Sequence, residues 1–204
     1  HRVPMLSLAN AFSEEDLVNF EKRVLNFISE NKNFKINYSV EPKIDGISAS
    51  LTYKNGKFIA GLSRGDGKEG EDITANLSTI EDIPKEILSK DFPEDIDIRG
   101  EVFIQNSDFE ILKEKFANPR NAASGSLRQK NYEDTKKIPL KFIAYTFGYE
   151  KGLNLENQFE YLKKLSKWGF KTNPLNKIIT GVKNLLINYN AIEKKRSEIN
   201  FDID

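Results

Sequence analysis

Lys43 stands in Glu41-Pro42-Lys43-Ile44-Asp45-Gly46, at the end of a strand-like run and beside an Asp-Gly turn. A free lysine, with a pKa of about 10.4, is protonated at neutral pH; desolvation or neighbouring cations can turn such a side chain into an attacking amine. Lys-x-Asp-Gly alone reads equally well as a surface turn. Other residues supply what a nucleophile would need. Arg64 closes a strand pair that opens just after Lys43, so antiparallel geometry can bring the two together. In Arg99-Gly100-Glu101 a glycine inside a strand suggests close approach of a ligand or of backbone. The run Asn118-Pro119-Arg120-Asn121-Ala122-Ala123-Ser124-Gly125-Ser126-Leu127-Arg128 packs small residues between two arginines, and arginine grips phosphate in a fork.

Composition narrows the chemistry. Among 204 residues there is no cysteine and one histidine, His1, which argues against thiolate chemistry, a Ser-His-Asp triad and a His-rich zinc site. No apolar run approaches the length of a membrane span, and no signal peptide is visible, so the expected location is cytoplasmic. Net charge is zero but uneven: residues 65–101 carry 4 basic and 12 acidic side chains, residues 102–196 carry 18 basic and 9 acidic. The first region could hold a metal and the second could meet phosphates. Gly65-Asp66-Gly67-Lys68-Glu69-Gly70 fits G-x-G-x-x-G, a dinucleotide-binding fingerprint when it joins a strand to a long helix. Here it follows a hairpin, and Glu69, Glu71 and Asp72 would repel a pyrophosphate, so a surface turn is expected instead.

The elements that would position these residues follow from periodicity. Ser13 caps a helix over 14–30, with apolar residues at Leu17, Phe20, Val24, Phe27 and Ile28. A linker covers 31–35. Ile36, Tyr38 and Val40 alternate as a strand running into Lys43. Ile47, Ala49, Leu51 and Tyr53 alternate in a second, and Asn55-Gly56 turns it into a third over 58–63. A short helix is expected over 72–78. Ile96, Ile98, Val102 and Ile104 mark a strand with Arg99 and Glu101 on its other face. Helices are expected over 107–116, 119–129, 155–168 and 181–197, and a strand over 141–149. Hairpins without regular βαβ units indicate an α+β fold with largely antiparallel sheets and flanking helices.

These blocks, in order, resemble the NAD-dependent DNA ligases of bacteria. The resemblance begins at Pro4-Met5-Leu6-Ser7-Leu8-Ala9-Asn10-Ala11-Phe12. It runs through Glu41–Gly46, Ser63–Gly67, Gly70–Asn76, Ile98–Phe103 and Phe116–Ala123 to Gly125-Ser126-Leu127-Arg128-Gln129. It closes with Lys167-Trp168-Gly169-Phe170 and Phe201-Asp202-Ile203-Asp204. It implies an adenylation domain of the nucleotidyltransferase fold (ATP-grasp-like, shared by DNA ligases and mRNA capping enzymes), incomplete at its C-terminus. Residues 1–35 would be a lead-in segment and helix, and 36–204 the truncated nucleotide-binding core. Lys43 would take AMP from NAD as lysyl-AMP and pass it to the 5′-phosphate of a nick, with Asp45 a second catalytic residue. The resemblance puts Ser7, Leu8, Glu41, Lys43, Arg64, Glu101 and Tyr145 at the nucleotide, with Tyr145 stacking on adenine, and Arg120 and Arg128 near phosphate or nucleic acid. Asp45 and Glu101 would hold Mg²⁺, directly or through water.

The same resemblance implies a monomer whose full-length parent works on nicked double-stranded DNA, away from membranes. Zinc would belong only to a C-terminal part of that parent. The fragment itself would bind nucleotide without ligating. The competing expectation is a non-catalytic nucleic-acid-binding module that uses the basic 102–196 region.

Overall fold

The computed structural model describes residues 1–28 and 33–204. In chain order its elements are α1 (Glu14–Phe27), β1 (Asn37–Val40), β2 (Ile47–Lys54), β3 (Lys57–Ser63), α2 (Thr74–Leu77), β4 (Asp95–Ile104), α3 (Asn106–Phe109), α4 (Pro119–Leu127), α5 (Tyr132–Lys136), β5 (Leu140–Lys151), α6 (Gln158–Lys167), β6 (Lys177–Thr180) and α7 (Val182–Lys194), followed by a 3₁₀ turn at Arg196–Glu198. They form two compact units. The first comprises residues 1–6, 42–174 and 200–204; the second comprises 7–41 and 175–199.

The first unit is built on a four-stranded antiparallel sheet in the order β3-β2-β4-β5. Asn55 and Gly56 both take positive φ, 49° and 76°, the geometry of the tight turn that matches strand twist, and they join β2 to β3 as expected. With 47–63 a hairpin, the Gly65–Gly70 run lies outside any βαβ unit. It forms a turn in which Asp66 Oδ1 accepts from the backbone N–H groups of Lys68 and Glu69, each at 2.8 Å.

The sheet has two chemically distinct faces. Ala49, Leu51 and Tyr53 on β2, Ile96, Ile98, Val102 and Ile104 on β4, and Phe142 and Ala144 on β5 join one hydrophobic core. Tyr53 is fully buried, its ring packed against Phe58, Phe92 and Phe170, and its hydroxyl donates to the Pro84 carbonyl at 2.6 Å. Burying each such large apolar side chain contributes on the order of 2 kcal/mol. The alternate residues of the same strands are Ser48, Ser50 and Thr52 on β2, which pair in register with Glu101, Arg99 and Asp97 on β4. All three charged residues are buried, and a buried charge is tolerated only with partners. Asp97 accepts from Thr52 at 2.7 Å and from Arg2, and Glu101 accepts from Ser48 at 2.8 Å.

Gly100, between two of these charged residues, decides between the two alternatives expected of it, a ligand or backbone. A Cβ there would collide with the Phe142 ring and the Ile143 carbonyl. The glycine therefore admits its own core and backbone, not a ligand. The small residues of α4 likewise serve the interior: Ala122 and Ala123 belong to the core, as does the larger Leu127, and Ser126 is buried.

Helix positions were mostly legible, with exceptions. Asn157 accepts from the Glu160 N–H, so α6 begins at Gln158 and not at 155. The helix expected over 107–116 reduces to α3. Beyond Phe109 the chain makes successive turns, with Leu112 buried and Ile111 exposed. The pairing of β6 with β1, and α5, were not anticipated.

The second unit pairs β1 with β6 antiparallel, Tyr38 opposite Ile179. Ser13 and Asp16 form a reciprocal capping box at the start of α1. Phe20 of α1 packs on Tyr38, whose hydroxyl donates to Glu21 at 2.8 Å. The helix ends at Phe27; positions 29–30 of the expected helix and 31–32 of the expected linker lie outside the described residues. No described helix is long and apolar enough to cross a membrane.

Candidate active site

Lys43 lies in the loop before β2, not at the end of a strand, since β1 stops at Val40. The loop is fixed from an unexpected direction. Ile44 bridges antiparallel to Ile203, the Asp45 N–H donates to the Asp202 carbonyl, and the Asp204 N–H donates to the Lys43 carbonyl, both at 2.9 Å. The Lys43 ammonium is half-exposed and donates to the Asp204 carboxylate. Phe201 anchors this returning segment by packing edge-on against Phe103. The resemblance ends on Asp204 without giving it a role, and the bridge to the Lys43 loop sets it beside the ammonium.

Asp45, two residues on, accepts from Arg120 Nη1 at 2.5 Å. Arg120 stands at the start of α4, where the Asn118 side chain caps the helix by accepting from the Asn121 N–H at 2.7 Å and Pro119 occupies the first turn. The charges of Lys43, Asp45 and Arg120 all act on the carboxyl of Glu101. Tyr145 in turn feels Glu101, Arg99 and Arg64, and its hydroxyl shares Ser48 with Glu101. Of the ten positions expected in the site, Lys43, Asp45, Arg64, Glu101, Tyr145 and Arg120 are thus brought into one neighbourhood. Ser48 belongs with them and was missed, although its place in the Ser48-Ser50-Thr52 alternation marks it as facing the same side.

Tyr145 lies on this face at an irregularity of the strand. Arg99 pairs with Thr146 and Gly100 with Ala144, so Tyr145 is an extra residue in β5. The bulge changes the phase of the strand: Phe142 and Ala144 face the core before it, and Phe147 packs on the core after it. Such bulges re-aim side chains beside functional sites.

A cleft of about 660 Å³ opens at this end of the sheet, lined by residues that include Gly46, Ser48, Arg64, Glu69, Arg120 and Arg128. Arg128 Nε lies 3.7 Å from Glu71. The cleft is thus a concave surface, with Arg64, Arg120 and Arg128 set against Glu69 and Glu71, large enough for a nucleotide-sized ligand. Ser7, Leu8 and Glu41 belong to the second unit. There Leu8 is exposed, and Glu41 Oε1 accepts from Ser39 at 3.1 Å.

Burial is the main influence on Glu101, pushing its pKa up to about 7; Ser48, Arg120 and Lys43 pull it back and Asp45 adds to the rise. The native state therefore holds a proton that the unfolded chain releases between about pH 4.5 and 7. Folding stability should fall as pH rises through that window, by up to about 3 kcal/mol, and level off above it. Urea midpoints for Glu101→Gln should lack this component of the slope; an unchanged slope would mean that Glu101 is not its source.

Mg²⁺ is commonly held by one or two carboxylates, with substrate phosphates and water completing its shell. Asp45 and Glu101 supply two oxygen donors of that kind. Among the described residues no group of three or more His, Cys, Asp or Glu side chains could hold a metal. The donor set fits a phosphate-assisted Mg²⁺ and not an all-protein cage.

Residues 1–204 match the family of the NAD-dependent DNA ligase adenylation domain. The chain belongs to this family. The adenylation domain is 67% identical over 204 residues to the DNA ligase of Pelagibacter ubique (strain HTCC1062), covering 100% of this chain and 30% of that protein. It is 45% identical over 212 residues to the DNA ligases of Xanthobacter autotrophicus and Mesorhizobium japonicum, again covering all of this chain and 29% of each relative. The chain therefore spans less than a third of the length of these relatives.

Proposed function

We propose that this adenylation domain has the nucleotidyltransferase fold and carries the first chemical step of an NAD-dependent DNA ligase, with Lys43 as nucleophile. The observation that carries the reading is the convergence of Lys43, Asp45, Arg120 and Glu101 beside a cleft lined by Arg64, Arg120 and Arg128. The Lys43 ammonium first gives one proton to Asp204, the carboxylate already on it, and the neutral amine attacks the α-phosphorus of NAD. A P–N bond forms, the P–O bond to nicotinamide mononucleotide breaks, and the nitrogen's second proton is lost to water.

Charge is managed by the chain's own residues. Arginines at the cleft wall offset negative charge on the phosphates, the principal demand of phosphoryl transfer. Arg120 is held by Asp45 and so presented at a fixed place. When bound, Mg²⁺ would add neutralising charge, with Asp45 and Glu101 holding it directly or through water. Glu101 and Tyr145 face the nucleotide in this neighbourhood; for Ser7, Leu8 and Glu41 the support for a nucleotide role is the resemblance alone. In the second step AMP passes to the 5′-phosphate of a nick in double-stranded DNA, which the 3′-hydroxyl then seals; these belong to the full-length ligase, and the segment spanned by this chain binds nucleotide without ligating. Many of the basic residues between 102 and 196 are paired locally: Lys164 and Lys167 with Asp91, Lys171 with Asp82, Lys151 with Glu94. That weakens the competing reading of a free basic nucleic-acid surface.

Full-length ligase carrying this chain, incubated with Mg²⁺ and either NAD or ATP, tests the cofactor assignment. NAD should give an acid-labile AMP adduct and ATP should give none. Equal labelling by ATP would overturn the NAD-specific reading.

A further inference from the structure

We infer that Arg99 is a positioning residue for the nucleotide cleft, acting through the segment Val3–Met5 on Arg64. Arg99 lies in the central strand and is buried, its relative exposure 8%. Its guanidinium does not face the cleft as a phosphate ligand. Nη1 donates to the Pro4 carbonyl at 3.2 Å, and Nη2 donates to the Val3 carbonyl. The next residue continues the attachment: the Met5 N–H donates to the Gly67 carbonyl at 2.8 Å, and the Met5 carbonyl accepts from Arg64 Nε at 3.4 Å. Arg64 is a wall of the cleft. A chain of named contacts thus runs from the centre of the sheet to the cleft.

The strand opposite is shaped for this. Ile96 pairs with Glu150 and Ile98 with Phe147, so Gly148 and Tyr149 together oppose Asp97 in a second bulge of β5. A Cβ on Gly148 would stand 2.8–3.0 Å from Nη2, Nε and Cζ of Arg99. The missing side chain is the space the guanidinium occupies. Tyr149, beside it, stacks under Arg2, whose guanidinium lies 4.1 Å from the ring centroid and also grips Asp95 and Asp97. Both ends of the segment are therefore fastened, Arg2 by carboxylates and a ring, Met5 by backbone. Between them the two carbonyls depend on Arg99. An arginine buried this deeply loses solvation, and its Nε has no hydrogen-bond partner among the described residues; a merely space-filling position would be met more cheaply by an apolar side chain.

The inference rests on the proposed nucleotide site, and the test separates the two. Equilibrium binding of AMP to the full-length ligase is measured for wild type, Arg99→Gln, Arg64→Gln and the double variant, with hydrogen exchange at the Met5 amide. Arg99→Gln should weaken AMP about tenfold when Arg64 is present and less than about twofold when it is absent, because the two act as one unit. Met5 exchange should accelerate in Arg99→Gln, and Gly148→Ala should reproduce both effects by displacing the guanidinium. If Arg99→Gln does not fold, the same coupling is expected for Arg99→Lys, which keeps the charge but not the fork. Equal penalties with and without Arg64, or no penalty, overturn the inference and leave the nucleotide site standing. A wild-type ligase that fails to bind AMP removes the site and this inference together.

Discussion

Lys43→Ala in the full-length ligase should abolish the AMP adduct formed from NAD, lowering its rate by a factor on the order of 10⁴ or more, as loss of a covalent nucleophile does. The fold should survive, because the Lys43 side chain is half-exposed and its backbone carbonyl, which the Asp204 N–H uses, is retained. An unchanged urea midpoint beside a lost adduct would separate chemistry from stability. The substitution also releases Asp204 from its ion pair. At this exposure that should alter stability by less than about 1 kcal/mol. A variant that still takes up AMP at the wild-type rate would place the nucleophile elsewhere.

Gly100→Ala should have the largest effect on stability. The new methyl would meet the Phe142 ring on one side and the Ile143 carbonyl on the other. Phe142 is fully buried and cannot swing away, and the carbonyl belongs to the neighbouring strand of the sheet. Overpacking of this kind costs about 3 kcal/mol, and more where backbone must move. Relief by shifting β5 would disturb the bulge that carries Tyr145, so AMP binding should weaken along with the thermal midpoint. A Gly100→Ala protein with a wild-type melting temperature would show that the strand pair is looser than this packing implies.

Much of the sheet was readable from local pattern, because its strands separate core from site by simple alternation. Ala49, Leu51 and Tyr53 against Ser48, Ser50 and Thr52 give both faces of β2 at once, and Asn55-Gly56 gives the turn. The row Arg99–Glu101 facing away from Ile98 and Val102 was legible for the same reason. What was not legible depends on packing at a distance. Nothing local announces that Tyr145 is the extra residue of a bulge; that shows only in the register of β5 against β4. Nothing near Lys43 announces that residues 202–204 return beside it. Likewise, β6 is four residues long and acquires meaning only from pairing with β1. The helix expected over 107–116 failed because apolar residues at 109, 112 and 116 suit consecutive turns as well as a helix.

The polar face also explains why the charged residues were easy to find and hard to assign. Asp97, Arg99 and Glu101 are equivalent by alternation, yet their partners differ. Asp97 holds Arg2, Arg99 holds two carbonyls, and Glu101 meets the Lys43 neighbourhood. Only the last of these stands among the residues proposed to touch nucleotide.

The central claim is that Lys43 carries AMP. Its most direct test is peptide mapping by mass spectrometry of the full-length ligase after incubation with NAD and Mg²⁺, under conditions that preserve a phosphoramidate. The account predicts a mass gain equal to AMP confined to the peptide that contains Lys43, removed by acid; the same gain on any other peptide, or none in a ligase that seals nicks with NAD, would contradict it.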